Sequence, residues 1–249
     1  MNQPQPMIYG VNPVLESLRS DQNCLNKIFL LQNRRGKEIE MIRSLARGSH
    51  TVLLTANRVE LDRMARTTKH QGIVAILSSE PYSNLDDILQ IAKAGKVPPF
   101  LVILDEIEDP RNLGAIIRTA DAVGVHGVII PERRAAGLTA VVSKASAGAL
   151  SHLPVARVVN LSTVIDRLKE EGLWIVGVDS GAPMSYDQYD FKGPIALVVG
   201  SEGKGIRRKI LDRCDQVVSM PMRGHVSSLN VSVALGVVAY EVLRQRRKE

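Results

Sequence analysis

The chain has 249 residues, 45% hydrophobic and 4% aromatic, enough for one large or two small domains with aliphatic cores. Its 32 Lys and Arg exceed its 26 Asp and Glu, and this net charge of +6 modestly favours a polyanionic partner. Two distant cysteines, Cys24 and Cys214, suggest neither a disulfide framework nor a zinc site. No apolar run approaches about 18 residues and no signal-peptide pattern is present, so we expect a cytoplasmic protein without a membrane span or bound metal.

Helical and strand patterns alternate within the first part of the chain, residues 1–80. The helical stretches are NPVLESLRS, KEIEMIRSLARGS and RVELDRMAR, and the strand-like stretches are NKIFLLQ, TVLLT and GIVAILS. We therefore predict a small α/β domain of mixed strand order.

This first part is also the more basic per residue, because residues 1–96 hold 13 basic and 9 acidic side chains. Arg34, Arg35 and Lys37 lie close together in one loop. Such a loop either grips RNA or is an ordinary solvated loop, and the sequence leaves both interpretations open. Residues 81–99 then predict a linker with a short polar helix, because proline and glycine residues open and close the segment.

Apolar strands alternate with helices over the remaining residues, 100–249. The predicted strands are FLVILDEI, GVIIP, PVARV, LWIVGVD, IALVVG and QVVSM. The predicted helices are NLGAIIRTADAVG, TAVVSKASAGAL, LSTVIDRLKEEG, GIRRKILDRC and a last one from Val231. This alternation is typical of a mostly parallel sheet covered on both faces, which binds ligands beyond the carboxyl ends of its strands.

The first unusual strand end is LDEIEDPRNLGAIIRTADAVG. Pro110 interrupts regular structure there, and Asn112 is well placed to cap the following helix. Arg118 lies in that helix and needs an anionic partner if the helix packs against a sheet. The segment alone favours a structural ion pair of Arg118 with Asp121 or Asp105 over a functional role.

The second unusual strand end, LVVGSEGKGIRRK, has glycines at 200, 203 and 205, which would let a ligand approach the backbone closely. Neither the P-loop nor the G-x-G-x-x-G pattern fits this segment, so the common phosphate-binding fingerprints are absent. Glu202 lies between the glycines and would repel a phosphate. A phosphate-free ligand, such as an adenosine that carries a sulfonium, would be tolerated better.

The third unusual strand end is SMPMRGHVSSLNVSVALG. Ser227 or Ser228 is expected to start the last helix there. Ser228, Ser232 and Gly236 recur every four residues, a spacing that suits close contact with a partner helix or tight packing inside one subunit. Three such strand ends favour a common site over three separate helix caps.

These segments carry a family resemblance. NLGAIIRTADAVG, LVVGSEGKGI and MPMRGHVSSLNVSVALG are similar, in order and spacing, to the three motifs of the SpoU (TrmH) class of RNA ribose 2′-O-methyltransferases, and VSKASAGAL and LPVAR also match. MIYGVNPVLESL and HQGIVA resemble the small substrate-binding domain of the bacterial 23S rRNA guanosine-2′-O-methyltransferase branch. The resemblance covers the whole chain.

The resemblance implies an α/β fold of the SPOUT type, whose mostly parallel sheet is followed by a C-terminal trefoil knot and preceded by the small RNA-binding domain. Knots are essentially absent elsewhere, so no sequence pattern predicts one. The resemblance further implies a cytoplasmic homodimer without metal. Its expected reaction is methyl transfer from S-adenosylmethionine to a ribose 2′-hydroxyl of RNA. The expected target is a guanosine in 23S rRNA.

The family's functional polar residues match five positions of this chain: Asn112, Arg118, Glu202, Ser228 and Asn230. The cofactor contacts that the resemblance implies are Gly200, Ser201, Gly205, Met220, Pro221, Ser228 and Leu229. The family's catalytic arginine corresponds to Arg118, which is expected to bind a phosphate or a developing alkoxide because a guanidinium is a poor base. Basic residues expected to contact RNA phosphates are Arg133, Arg134 and Lys144.

Three alternatives remain open from the sequence. The first is the same chemistry on tRNA. The second is a non-catalytic RNA-binding or ribosome-assembly protein, which the complete polar set disfavours because such a protein could lose Arg118 or Asn230. The third is an enzyme that uses a phosphorylated nucleotide, which the missing phosphate-binding loops disfavour.

Overall fold

The computed structural model describes residues 6–20 and 24–247, and the chain forms two compact units. The first unit comprises Met1–Tyr82 and Gly137–Ala140, and the second comprises Ser83–Ala136 and Val141–Glu249. No helix in the described ranges is long and apolar enough to cross a membrane.

The first unit is a mixed four-stranded sheet with three helices. Its strands are β1 (Met7–Tyr9), β2 (Leu25–Leu31), β3 (Val52–Ala56) and β4 (Ile73–Leu77), and its helices are α1 (Val11–Arg19), α2 (Lys37–Gly48) and α3 (Arg58–Ala65). The strand order is β1-β4-β2-β3, with β4 antiparallel to both neighbours and β3 parallel to β2. The prediction of a small α/β domain of mixed strand order is confirmed.

Local sequence signals account for these elements. Helix α1 buries Val14 and Leu18 against the sheet, as its amphipathic pattern requires. Helix α3 begins with a capping box, in which Asn57 Oδ1 accepts from Glu60 N at 2.9 Å and the Glu60 carboxylate accepts from Asn57 N at 2.9 Å.

The segment Gly137–Ala140 belongs to the first unit, which the sequence did not predict. Leu138 O accepts a hydrogen bond from the buried Asn26 amide at 3.1 Å, and Leu138 N donates to Tyr82 Oη at 3.0 Å. A Cβ on Gly137 would lie 2.5 Å from Asn26 Oδ1, so glycine is needed for this close approach.

The second unit contains a seven-stranded sheet. Its strands are β5 (Phe100–Asp105), β6 (Gly127–Pro131), β7 (Val155–Val158), β8 (Trp174–Val178), β9 (Met184–Ser185), β10 (Ile195–Gly200) and β11 (Gln216–Ser219). Its helices are α4 (Leu85–Ala94), α5 (Pro110–Ala122), α6 (Ala140–Ala145), α7 (Leu161–Glu170), α8 (Arg208–Leu211) and α9 (Val231–Arg246). The strand order is β7-β6-β5-β10-β8-β11-β9, and every pairing is parallel.

The central strands β5 and β10 are buried along their whole length, which explains their continuous apolar sequences. Their register pairs Gly200 with Asp105, so the two loops that follow these strands begin side by side. The prediction of a mostly parallel α/β sheet is confirmed, while the trefoil knot stays a prediction from the family resemblance.

Helix α4 lies within residues 81–99, the predicted linker, yet it is part of the second unit. It buries Ile88 and Leu89 in the core of that unit. A Cβ on Gly127 of β6 would lie 2.5 Å from Ile88 Cγ2, which shows how closely helix and strand pack. The amphipathic pattern of α4 is therefore satisfied by the sheet, and the second unit begins at Ser83.

The last turn of α9 is anchored by Arg246. Its guanidinium donates to the carbonyl oxygens of Pro98 at 2.8 Å, Gly193 at 2.6 Å and Phe191 at 3.2 Å. Burial lowers the pKa of Arg246 to about 10. These contacts fix α9 to the start of β5 and to the loop before β10.

Candidate active site

The loop after β10 is a tight glycine turn. Gly205 N donates to Ser201 O at 2.9 Å, and the positive φ angles of Gly203 (+79°) and Gly205 (+66°) favour glycine. A Cβ on Gly200 would lie 2.1 Å from Gly205 O, so a side chain there would disrupt the turn. The turn consequently presents backbone groups rather than side chains.

A partly buried ion pair connects this loop to the end of β5. Asp105 is 0% exposed and accepts hydrogen bonds from Arg207 N at 2.9 Å and Arg207 Nε at 2.8 Å, with Arg207 Nη2 at 2.6 Å. The hydrogen bond that the Arg207 side chain donates to Asp105 raises the pKa of Arg207. Glu106 also contacts Arg207 at 3.4 Å and Arg134 at 3.1 Å. The ion pair expected between Asp105 and Arg118 is therefore wrong, since Arg207 satisfies this carboxylate.

Three of the five predicted catalytic residues form one hydrogen-bonded network. Glu202 Oε1 accepts from Asn112 Nδ2 at 3.1 Å and also from Asn230 Nδ2. Asn230 Nδ2 donates to Asn112 Oδ1 as well, at 3.0 Å. The backbone N–H of Val231 points to the same carboxylate oxygen at 3.4 Å. The network connects α5, the glycine turn and the start of α9.

Helix α5 begins earlier than its sequence suggested. Pro110 occupies the first helical position, and Asp109 caps the helix by accepting from Arg111 N at 2.8 Å. The prediction that Asn112 caps this helix is wrong, because proline at the first position fits its fixed φ and the preceding aspartate supplies the cap. The Asn112 side chain is thereby available for the network.

Helix α9 is capped by Asn230, whose Oδ1 accepts from Ser232 N at 2.9 Å and from Ser232 Oγ at 2.5 Å. The prediction that Ser227 or Ser228 starts the helix is wrong. Asn230 is an equally good cap and is adjacent to the apolar run that begins at Val231. Asn230 therefore has two roles, since its oxygen caps the helix while its amide nitrogen binds Glu202.

A cavity of about 190 Å³ adjoins this network. It is lined by six of the seven predicted cofactor-binding residues: Gly200, Ser201, Gly205, Met220, Ser228 and Leu229. Pro221 does not line it. The ends of β10 and β11 and the segment before α9 thus meet at one site, as expected for strand ends in a parallel sheet.

The charge of the cavity restricts its ligands. Asp179 and Glu202 line it, and no described Lys or Arg does. Val178, Val199 and Leu229 supply apolar walls. Two carboxylates without a cation would repel a phosphate and attract a positively charged group. The cavity therefore suits a neutral or cationic ligand with an apolar portion.

Asp179 is a charged lining residue that sequence reasoning missed. It follows β8, and a Cβ on Gly205 would lie 2.7 Å from its Oδ2. Its Oδ1 accepts from Gly181 N at 3.1 Å. The signal was present in LWIVGVDSG, where an apolar strand ends in an aspartate as the other site strands end in polar residues.

Arg118 does not join the network. Its side chain is exposed, lies outside the lining of the cavity and makes no hydrogen bond or ion pair within the described residues. Six residues separate it from Asn112 on α5, which places the two about 9 Å apart along the helix and about 120° apart around it. The expected ion pair with Asp121 is likewise not formed.

Helix α9 has an exposed apolar face and a contact inside the subunit. Val233 is 51% exposed, Val237 38% and Tyr240 54%, and their spacing places them on one side of the helix. A Cβ on Gly236 would lie 3.7 Å from Thr119 Cγ2 of α5. The small-residue spacing of α9 therefore serves packing inside the subunit at Gly236.

Two family sequence profiles match the chain. That of the SpoU rRNA Methylase family matches residues 99–240, and that of RNA 2′-O ribose methyltransferase substrate binding matches residues 7–83. The chain belongs to the SpoU rRNA methylase family. It is an RNA methyltransferase, and the family resemblance of its motifs is confirmed.

Relatives that match nearly the whole of this SpoU family member are also named as RNA methyltransferases. YacO of Bacillus subtilis (strain 168), named for the TrmH family of tRNA/rRNA methyltransferases, is 45% identical over 246 residues, which is 99% of this chain and 98% of YacO. A protein of Mycolicibacterium smegmatis named as an uncharacterized tRNA/rRNA methyltransferase is 43% identical over 97% of this chain and 77% of its own length.

Solved structures resemble the whole chain or its second part. The SpoU methyltransferase AviRb from Streptomyces viridochromogenes, in complex with the cofactor AdoMet, is 26% identical with a TM-score of 0.63, covering 99% of this chain and 92% of AviRb. The A. aeolicus TrmH/SpoU tRNA modifying enzyme is 28% identical with a TM-score of 0.57, covering 66% of this chain and 83% of that one. The chain therefore shares the SPOUT-type fold of these methyltransferases.

Proposed function

We propose that the protein transfers a methyl group from S-adenosylmethionine to the ribose 2′-hydroxyl of a guanosine in 23S rRNA. The observation that carries this proposal is the acidic cavity beside the Asn112–Glu202–Asn230 network, at the strand ends that match the SpoU motifs. The rRNA part is supported by the name of the matching family profile. The alternative substrate, tRNA, would involve the same chemistry. It stays open because relatives are named for both RNAs.

The lining of the cavity suits the proposed cofactor in polarity and charge. The glycine turn at Gly200 and Gly205 presents backbone to the adenosine, and Leu229 adds an apolar wall. Asp179 and Glu202 favour a positive charge over a phosphate. S-adenosylmethionine supplies a methyl group on a positively charged sulfur, which needs no metal to leave. The described residues contain no group of three or more His, Cys, Asp or Glu side chains that could hold a metal ion.

Catalysis by the chain's own residues consists mainly of positioning. A ribose hydroxyl is a weak nucleophile, and holding it in line with the methyl group can lower the barrier by roughly 7–11 kcal/mol in ideal cases. Asn112 and Glu202 orient the ribose, and Ser228 and Asn230 position the nucleotide and the donor. The hydrogen bonds among Asn112, Glu202 and Asn230 support this role because they preorganise the three side chains.

Arg118 stabilises negative charge in this proposal. Its guanidinium binds the 3′ phosphate or the developing alkoxide, while the phosphate or a water takes the proton. Its exposure and its lack of a described ion pair leave the guanidinium available for an RNA phosphate. Because it lies outside the cavity of its own subunit, we assign it to a site that is completed across a homodimer interface.

The homodimer is supported by the exposed face of α9. Val233, Val237 and Tyr240 form an apolar stripe there, and α9 packs against α5, the helix that carries Arg118. Covering this stripe with a second copy would remove its apolar surface from water. The same association would place Arg118 beside an interface.

RNA binding is assigned to the small domain, residues 1–80, and to basic side chains of the methylase domain, residues 100–249, with residues 81–99 between them. The substrate-binding profile over residues 7–83 supports the first assignment. Arg133 and Lys144 are exposed, which supports the second. Arg134 is exposed but is paired with Glu106.

The decisive experiment measures methyl transfer from labelled S-adenosylmethionine to deproteinised 23S rRNA and to tRNA, followed by mass spectrometry of the nucleosides. The expected product is 2′-O-methylguanosine in 23S rRNA. A product found only in tRNA would overturn the rRNA assignment and keep the chemistry. No product from either RNA and no S-adenosylmethionine binding by calorimetry would overturn the proposal and favour the non-catalytic alternative, and tight binding of ATP instead would favour a nucleotide-using enzyme.

A further inference from the structure

An open basic cleft lies in the first unit. Its walls are the turn after β2, the start of α2 and Thr55 on β3. Four cationic side chains line it: Arg34, Arg35, Lys37 and Arg43. None of the predicted catalytic or cofactor-binding residues belongs to this unit.

The positive charge of this cleft is mostly uncompensated. Its only carboxylate is Glu40, which lies 3.7 Å from Arg43 in an exposed pair. Arg34, Arg35 and Lys37 make no ion pair within the described ranges. Cations that line one cleft without counter-charges repel one another, so the arrangement favours binding of a polyanion. The loop that the sequence left open between RNA binding and plain solvation therefore lines a built cleft.

Arg34 is held in place by packing rather than by a counter-charge. Its Nη1 is shielded from solvent and has no hydrogen-bond partner among the described residues. This atom lies 2.9 Å from the position of a Cβ on Gly72, so the guanidinium rests against that glycine. The backbone N–H of Arg34 donates to Leu31 O at 3.2 Å. A guanidinium fixed in this way loses little freedom when it binds an anion.

The start of α2 opens into the same cleft. Gly36 precedes this 12-residue helix and supplies no side-chain cap, and both Gly36 and Lys37 line the cleft. The first backbone N–H groups of a helix have no partner within the helix and carry partial positive charge. Together with the four cationic side chains, they form a setting in which a phosphate oxygen is well bound.

The remaining lining residues indicate which part of RNA would bind. Gln32, Asn33 and Thr55 offer neutral hydrogen-bonding groups, and no described aromatic side chain lines the cleft. Stacking on aromatic rings is the usual way in which proteins hold unpaired bases. A cleft of cations and amides without aromatic rings suits the sugar-phosphate backbone instead.

We propose that this cleft binds phosphodiester groups of the RNA substrate, as a subsite separate from the nucleotide that is methylated. The proposal rests on the proposed function for the identity of the polyanion. It predicts a contribution to RNA affinity that is strongly salt-dependent and independent of the cofactor.

The test uses the full chain and labelled 23S rRNA and tRNA in filter-binding assays over a series of KCl concentrations, without cofactor. Arg35→Gln with Lys37→Gln removes two exposed cations from the cleft. Arg63→Gln with Lys69→Gln is the matched control, because it removes one Arg and one Lys that are exposed in the same unit but outside the cleft. We expect the cleft variant to lose about tenfold or more in affinity and about two units of the salt slope. The control should keep both within about twofold of the wild type.

A second variant tests the part of the cleft that β3 forms. Thr55→Glu places a carboxylate on β3 at an exposed position of the cleft. It should weaken RNA binding as the loop variant does, because the new carboxylate would repel a phosphate bound in the cleft. Unchanged RNA affinity in this variant would mean that the loop cations act as a surface patch. That result would contradict the proposal that RNA binds in the cleft.

Other outcomes separate this proposal from the proposed function. Equal losses of RNA affinity in the cleft and control variants would contradict the proposal that the cleft binds RNA. Methylation by the wild type would still support the proposed function. A wild-type chain that binds RNA through the cleft but methylates no RNA would overturn the proposed function alone. Calorimetric binding of inorganic phosphate that the cleft variant abolishes, with no change in RNA affinity, would show a site for free phosphate and overturn the assignment to RNA.

Discussion

Asp105 and Arg207, 102 residues apart in the sequence, form the partly buried ion pair that fixes the glycine turn to the central sheet. The carboxylate is fully buried, whereas the guanidinium is 46% exposed, so the pair lies at the boundary between core and site. The backbone N–H of Arg207 also donates to Asp105, which holds the main chain as well as the side chain. The position of the turn therefore depends on one aspartate at the end of β5.

Replacing this aspartate should loosen the site. Asp105→Asn is expected to destabilise the fold by about 1.5–3 kcal/mol, the range for hydrogen bonds to charged groups, and to weaken S-adenosylmethionine binding. Urea unfolding and calorimetry measure the two effects. Asp212→Asn is the control, because its pair with Arg208 lies on the surface and should contribute under about 1 kcal/mol. Similar losses in both variants would contradict a special role for Asp105.

Asn230 should matter more for activity than for stability. Asn230→Ala removes a helix cap, which costs about 1 kcal/mol, and a donor to Glu202. Asn160→Ala is a matched control, since Asn160 caps α7 through the same contact with a serine N–H, at 3.0 Å. Both variants should lose similar stability in urea, while only Asn230→Ala should lower kcat, by about 100-fold if the reactants are misplaced. Equal kcat values would refute the positioning role.

Arg118→Ala should separate chemistry from cofactor binding. The rate of methyl transfer should fall by about 100- to 1,000-fold, because the charge that stabilises the transition state is lost. The Kd for S-adenosylmethionine should stay within about twofold, since Arg118 does not line the cavity. Arg111→Ala, another exposed arginine on α5, is the control and should retain activity. Loss of cofactor binding in parallel with activity would contradict this division.

The apolar face of α9 should mediate dimer formation. Val237→Glu is expected to convert a dimer into a monomer in light-scattering measurements, because a carboxylate would have to be buried in the interface. Activity should fall with it if the site is completed across the interface. Val159→Glu, at a position 67% exposed elsewhere in the second unit, should leave the mass unchanged. A wild-type monomer at working concentration would contradict the homodimer.

Cys214 should make stability depend on pH above neutrality. Burial raises the pKa of its thiol from 9.0 to about 12. The folded state thus holds the proton more tightly than the unfolded chain, so the contribution is fully present below pH 9 and is lost as pH rises towards about 12. Cys214→Ser should flatten the fall in unfolding free energy from pH 9 towards about 12, measured with urea. Identical pH profiles for the two proteins would contradict burial of the thiol.

Much of the fold could be predicted from local pattern. Apolar runs such as IALVVG and amphipathic stretches such as LSTVIDRLKEEG specify β10 and α7, because periodicity depends only on which side chains must be buried. The three motif segments also pointed to one site, since carboxyl ends of parallel strands meet at the same edge. Helix starts were harder to predict, because several capping residues stood close together before α5 and α9.

The sequence by itself determined the kinds of element, the parallel sheet and the chemical character of the strand ends. Only the tertiary structure decided which polar side chains pair with one another. Asp105 pairs with Arg207 and not with Arg118. Glu202 accepts hydrogen bonds from Asn112 and Asn230, so three separate segments meet. Burial and periodicity are local properties of a chain, whereas which charge meets which depends on strand order and register, and these are set by packing over distances of a hundred residues.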